Sequence, residues 1–184
     1  MKTKLSIFLL SLIPFFFIAC NDEELEPLDP SLSTFSREAE GYRVDFHLEN
    51  ARGERTVLFR EDEDIIFNVT ATNISGERAS ENELFDHNLF RVFSADGDKD
   101  FGIPWDNSDV DYPALNRLLV VGKSHTYQAS WNGNTDYFKG DYYHPSKHKK
   151  LPSGAYYTIA PITFKRNKLE DVVITCKIYF NVVK

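Results

Sequence analysis

The sequence predicts an all-β protein, an antiparallel β-sandwich of about seven to nine short strands with two long loop insertions. Three observations predict it. Apolar residues recur with period two in one segment after another. No stretch carries a convincing 3.6-residue apolar period. Turn-forming residues separate the runs at short intervals. Of the 184 residues, 42% are hydrophobic and 14% aromatic, which is enough apolar surface for a core and excludes disorder over most of the chain.

The elements follow in order. Tyr42, Val44, Phe46 and Leu48 alternate with Arg43, Asp45, His47 and Glu49, and Asn50 to Gly53 ends that half-buried strand. Thr56-Val57-Leu58-Phe59 is a short β-favouring run. In Ile65 to Asn73, Ile65, Phe67, Val69 and Ala71 share one face, and Ser75-Gly76 turns the chain. Glu77 to Asp86 has too few apolar positions for more than a helical turn. Leu89 to Phe93 is followed by the tight turn Asp96-Gly97. Leu115 to Val121 is apolar up to Gly122. His125 to Trp131 has Tyr127, Ala129 and Trp131 in phase. Ala155 to Phe164 is rich in Tyr, Thr and Ile. Val172 to Val183 is the longest alternation, with Val172, Ile174, Cys176, Ile178, Phe180 and Val182 on one side. Asp96 to Pro113 and Asn132 to Lys150 are the two insertions.

The N-terminus reads as an address. Lys2 and Lys4 precede Leu5 to Ile18, an apolar run broken by Pro14 and too short for a bilayer-spanning helix of about 20 residues. It ends in Phe17-Ile18-Ala19-Cys20, which resembles the lipobox of a bacterial lipoprotein. That resemblance implies a signal peptide over residues 1–19 and a diacylglycerol on the Cys20 thiol, hence a membrane partner reached through lipid. Asn21, Asp22, Glu23 and Glu24 resemble the export signal of Bacteroidetes-type surface lipoproteins, which implies an outer-membrane protein facing outward. An acidic spacer without a sorting role, and a periplasm-facing protein, is the other reading. Residues 20–40 then form an acidic flexible tether, and 41–184 the folded domain.

Further residues carry a second resemblance. Thr56-Val57-Leu58-Phe59-Arg60-Glu61-Asp62-Glu63-Asp64-Ile65-Ile66-Phe67, with Val69-Thr70 and Asn73-Ile74-Ser75 after it, resembles the opening of an immunoglobulin-like bacterial domain. Trp131 and Leu151-Pro152-Ser153-Gly154-Ala155-Tyr156-Tyr157 are similar to its later strands. The nearest family is the bacterial intracellular proteinase inhibitor type. The resemblance covers about Thr56 to Thr158 and implies an Ig-like sandwich, with an inhibitor role as one alternative and a loop near Leu151-Pro152 as its instrument.

Charge and chemistry narrow the function. The net charge of −7 argues against a nucleic-acid partner. It is concentrated in residues 21–40, which carry −6, whereas 41–184 carry only −3. With two cysteines there is no disulfide scaffold, and Cys176 is in phase with core residues. Asp96, Asp98 and Asp100 alternate, with Asp106, Asp109 and Asp111 beyond, but they do not follow a calcium-loop spacing and read as a weak calcium candidate beside ordinary solvated acids. His144 and His148 lie in a basic loop without a third ligand for zinc. Glu61 and Glu63 share a turn, which does not place them across a sugar ring. There is no phosphate loop, nucleophile elbow or Cys-x-x-Cys pair, so neither enzyme nor cofactor is expected. The candidate binding residues are Trp105, Trp131, Tyr137, Phe138, Tyr142 and Tyr143. These loop aromatics either recognise a glycan or protein or close one end of the sandwich. The expected role is a lipid-anchored, non-catalytic binding or accessory one, and a purely structural envelope protein is a further alternative.

Overall fold

The computed structural model describes residues 33–76, 80–83, 88–96, 99–104, 117–131, 150–166 and 169–184. These form eleven strands: β1 Thr34–Ala39, β2 Tyr42–Glu49, β3 Leu58–Arg60, β4 Ile66–Asn73, β5 Ser80–Glu83, β6 Arg91–Ser94, β7 Asp100–Gly102, β8 Arg117–Leu119, β9 Ser124–Ser130, β10 Gly154–Lys165 and β11 Val172–Val183. One sheet has the order β1-β2-β4-β9. The other runs β3-β11-β10-β5-β8, with β6 also on β10 and β7 on β6. The all-β, two-sheet architecture is the expected one.

Several expectations need correction. The strand number exceeds seven to nine. Pairing is not wholly antiparallel, because β3 runs parallel to β11. Residues 34–39, assigned above to the flexible tether, form β1 and pair with β2 from Thr34↔His47 to Ala39↔Tyr42. The hairpin between them is a two-residue turn in which Glu40 (φ 50°) and Gly41 (φ 81°) are both left-handed, the type I′ geometry that matches strand twist. Ser80–Glu83 is a strand where a helical turn was the most that sequence suggested. The run at Thr56 starts its strand two residues later, and the run at Leu89 begins with a turn over residues 88–90.

The two sheets meet through rings. Tyr42 stacks on Phe164 at 4.2 Å, and Phe46 and Phe67 flank Phe90 at 5.7 and 5.4 Å. Phe90 holds an unusual φ of 62° for a bulky residue; its burial between two rings offsets the backbone strain. Phe180 lies between Phe59 (6.0 Å) and Tyr156 (5.5 Å). Between the sheets, the chain crosses after Asn50, whose Oδ1 accepts from the amides of Arg52 (2.9 Å) and Glu54 (3.0 Å) and so closes the turn. Strand β10 is the hinge of the second sheet. One of its edges takes β11 along its length, and the other is shared by β6 at Tyr156–Ile159 and β5 at Thr163–Lys165.

One core position is polar. Thr158 is fully buried, between Ile178 and Val92 in the register, and its Oγ1 has no hydrogen-bond partner among the described residues. A buried hydroxyl without a partner costs free energy. Thr158→Val is therefore expected to stabilise the fold by about 1 kcal/mol, read as a higher urea midpoint at unchanged slope. A lowered midpoint would contradict the assignment.

Candidate functional site

The outer face of the second sheet gathers the aromatic residues that the core leaves over. In β10 and β11 the even-numbered residues from 156 to 164 and from 172 to 182 point inward, so Tyr157, Lys177 and Tyr179 point out. The register sets Phe93, Tyr157 and Tyr179 in one row across β6, β10 and β11. Phe93 and Tyr157 stack at 5.0 Å and 20°, and Tyr157 and Tyr179 lie 5.7 Å apart at 54°. Lys177, diagonal to Tyr157, places Nζ 3.7 Å from the Tyr157 ring centre and 4.6 Å from that of Tyr179. The Tyr157 ring is thus packed by both Phe93 and the ammonium. Tyr179 is 46% exposed, and Leu58 on β3 is 44% exposed nearby in the register. Arg91 also points outward, where Nε and Nη2 donate to Asp100 Oδ2 at 2.9 and 2.7 Å. Lys177 is therefore a cation set between tyrosines on a face whose neighbouring Arg–Asp pair is internally balanced.

This row was missed in the sequence because its three rings lie far apart along the chain and only strand pairing aligns them. The available signal was phase, and only in β11: Tyr179 falls on the side that also carries Thr175 and Lys177, opposite the apolar run from Val172 to Val182.

The residues singled out from sequence go elsewhere. Trp131, a candidate for ligand contact, is only 2% exposed and packs edge-on to Phe67 at 6.3 Å. It is a core residue, because its phase with Ala129 turns it between the sheets. Trp105, Tyr137, Phe138, Tyr142, Tyr143, Asp98, His144 and His148 lie outside the described residues, as do Cys20 and the stretch Asn21 to Glu24. Of the calcium candidates, Asp96 accepts from the Ser94 hydroxyl, and Asp100 is held by Arg91 and by the Gly102 amide at 2.8 Å. Burial works to raise the Asp100 carboxyl, but the Arg91 and Gly102 hydrogen bonds and the Arg91 charge outweigh it, so it titrates below the ordinary carboxylate range. Among the described residues, no group of three His, Cys, Asp or Glu is placed to hold a metal. Cys176 is wholly buried, and burial together with the Asp45 charge pushes its thiol up to about 12 against the opposing Arg37, which leaves no thiolate nucleophile at neutral pH.

The Leu151-Pro152 segment forms a corner. Leu151 is buried, Tyr156 Oη donates to Pro152 O at 2.5 Å, and Glu61 Oε1 accepts from the Ser153 amide at 2.7 Å. Burial and then the Glu61 charge raise the Tyr156 phenol above its ordinary value, so it remains a donor. Glu63 Oε2 accepts from the Arg60 amide at 3.2 Å, so both glutamates of this turn bind backbone. No family model matches the chain, and neither a curated protein nor a solved structure is similar to it at a significant level.

Proposed function

We propose that this protein is a lipid-anchored lipoprotein of the cell envelope, carried at the outer membrane and facing outward, whose Ig-like domain binds a glycan without catalysis. The observation that carries the binding role is the outward-facing row of half-buried Phe93 and Tyr157 and exposed Tyr179, with Lys177 set between the two tyrosines. Aromatic edges, two phenol groups and one ammonium on a rigid sheet are suited to a sugar, which offers apolar C–H faces and many hydroxyls. Tyr179 has the ring area left for such a contact.

The Ig-like reading is supported by strand order and by one tyrosine. The neighbours β2-β4-β9 and β6-β10-β11 correspond to the A-B-E and C-F-G orders of that sandwich. Tyr156, near the start of the penultimate strand, bonds the backbone four residues upstream, as the tyrosine corner of such domains does. Anchoring rests on the lipobox-like Phe17 to Cys20. With β1 starting at Thr34, the stretch between Cys20 and Ser33 is twelve residues, which reach at most about 43 Å.

The test uses the full chain grown with labelled palmitate and applied in detergent to a glycan array. Label on the wild type and none on Cys20→Ala is expected, with binding to a subset of sugars that Tyr179→Ala weakens about tenfold or more. An unlabelled wild type overturns the anchor. An empty array, or binding indifferent to Tyr179→Ala, overturns the sugar role.

A further inference from the structure

Strand β11 alternates, and its outward residues Val173, Thr175, Lys177 and Tyr179 are all exposed. Lys177 is the one charge in that series. The register gives it uncharged neighbours on β10 as well: Ile159 lies opposite, with Tyr157 and Pro161 on the diagonals. Among the described residues Lys177 makes no ion pair. The next cation in that row is Arg91, across Ile159, and it already donates to Asp100.

Two rings hold the Lys177 ammonium without neutralising it. Nζ sits 3.7 Å from the Tyr157 ring centre and 4.6 Å from that of Tyr179. A ring quadrupole attracts a cation but carries no net charge. Nor does a ring face accept hydrogen bonds as a carboxylate does, so the three N–H donors can still turn to an anion. A lysine stem ordinarily swings freely, whereas this one is seated between rings, so less freedom is lost when it binds. The result is a positioned, uncompensated positive charge beside the exposed Tyr179. Elsewhere the domain offers acids no general attraction, because residues 41–184 carry a net negative charge. A preference for an acidic ligand is then local to Lys177.

We propose that the sugar taken by this face is an acidic one, with its ring against Tyr179 and its carboxylate or sulfate on Lys177 Nζ. This rests on the glycan reading above and names the class of glycan. A neutral sugar fills the same ring contact but leaves the ammonium without an anion. Lys177 therefore sets the specificity, and Tyr179 the affinity common to both kinds of sugar.

The experiment presents matched pairs of oligosaccharides to the full chain in detergent. Uronates stand beside the same sugars with their carboxyls reduced to hydroxymethyl groups, and sulfated sugars beside their desulfated parents. The acidic member is expected to bind about tenfold or more tighter than its neutral parent, as a charge-assisted hydrogen bond warrants. Lys177→Gln is expected to abolish that difference and leave neutral binding in place. Lys177→Arg, still cationic and able to stack on tyrosine, should retain most of it. Lys99→Gln is the control for net charge. Lys99 also lies over a ring, 4.4 Å from the centre of Phe101, but Phe101 packs on the inward Tyr156 rather than on the outer row. Its loss should leave the preference unchanged. The pair with the larger ratio assigns the charge to carboxylate or to sulfate. Equal affinity for acidic and neutral members, or a preference that survives Lys177→Gln, would overturn this inference and leave the glycan reading standing. Binding to no member of any pair would overturn the glycan reading and this inference with it.

Discussion

Replacing Trp131 by alanine is expected to cost about 3–5 kcal/mol, the range for removing a large aromatic side chain from a packed core. The melting temperature of a domain this size should fall by about 10–20 °C. The side chain is 2% exposed, touches Phe67, and through Phe67 supports the stack on Phe90 that joins the sheets. Its backbone is fixed independently: Trp131 N donates to Ile65 O at 2.9 Å, and the preceding Ser130 hydroxyl donates to the buried Asp64 carboxylate. The surroundings are held by these bonds, so they are poorly able to collapse into the space left behind, which places the cost toward the upper end.

The same variant separates the two roles considered for this residue. A tryptophan that stacked on a ligand would lose binding on truncation and leave the melt in place. A core tryptophan does the reverse, and Trp131→Phe, which keeps most of the apolar volume, should recover more than half of the lost stability. Denaturant titration of both variants at constant slope is the measurement. A melt unchanged in Trp131→Ala would remove Trp131 from the core.

What could be read from sequence depended on burial. Strand β11 shows a clean alternation because its neighbours bury only one face, and every inward residue from Val172 to Val182 falls where the period places it. Strand β10 is blurred, since Tyr157 and Ile159 put apolar side chains on the outer face as well. Strand β1 was invisible for the opposite reason. As an edge strand it has no fully buried side chain, so Thr34–Ala39 carries no apolar period and resembles the tether before it. The aromatic row on the outer face was hidden at a higher level. Phe93, Tyr157 and Tyr179 are 64 and 22 residues apart along the chain, and only the pairing register aligns them. Period tells which face a side chain takes, but not which strand lies alongside. The aromatic-rich loop drew attention in the sequence because its rings are adjacent there. The sheet face assembles rings that are adjacent only in space.

Gly41→Ala is expected to cost about 2–4 kcal/mol, from two separable causes. Gly41 has φ 81°, a left-handed conformation that an L side chain adopts at about 1 kcal/mol or more. A Cβ there would also lie 2.5 Å from Ser75 Cβ and 2.6 Å from Ser75 Cα. That neighbour includes backbone, so relief requires the two turns to part, which strains the Ile74 N to Gly41 O hydrogen bond. Two other glycines isolate the first cause. Gly53 (φ 76°) and Gly76 (φ 71°) are also left-handed, but a Cβ at either meets nothing within 4 Å. Their alanine variants should cost only about 1 kcal/mol each, the conformational part alone. The excess in Gly41→Ala over this pair, measured by urea unfolding, is the free energy of close approach between the β1–β2 turn and the end of β4. Equal losses at all three glycines would show that the turns have room to separate, and would take away the rigid seat on which Ile74 is held.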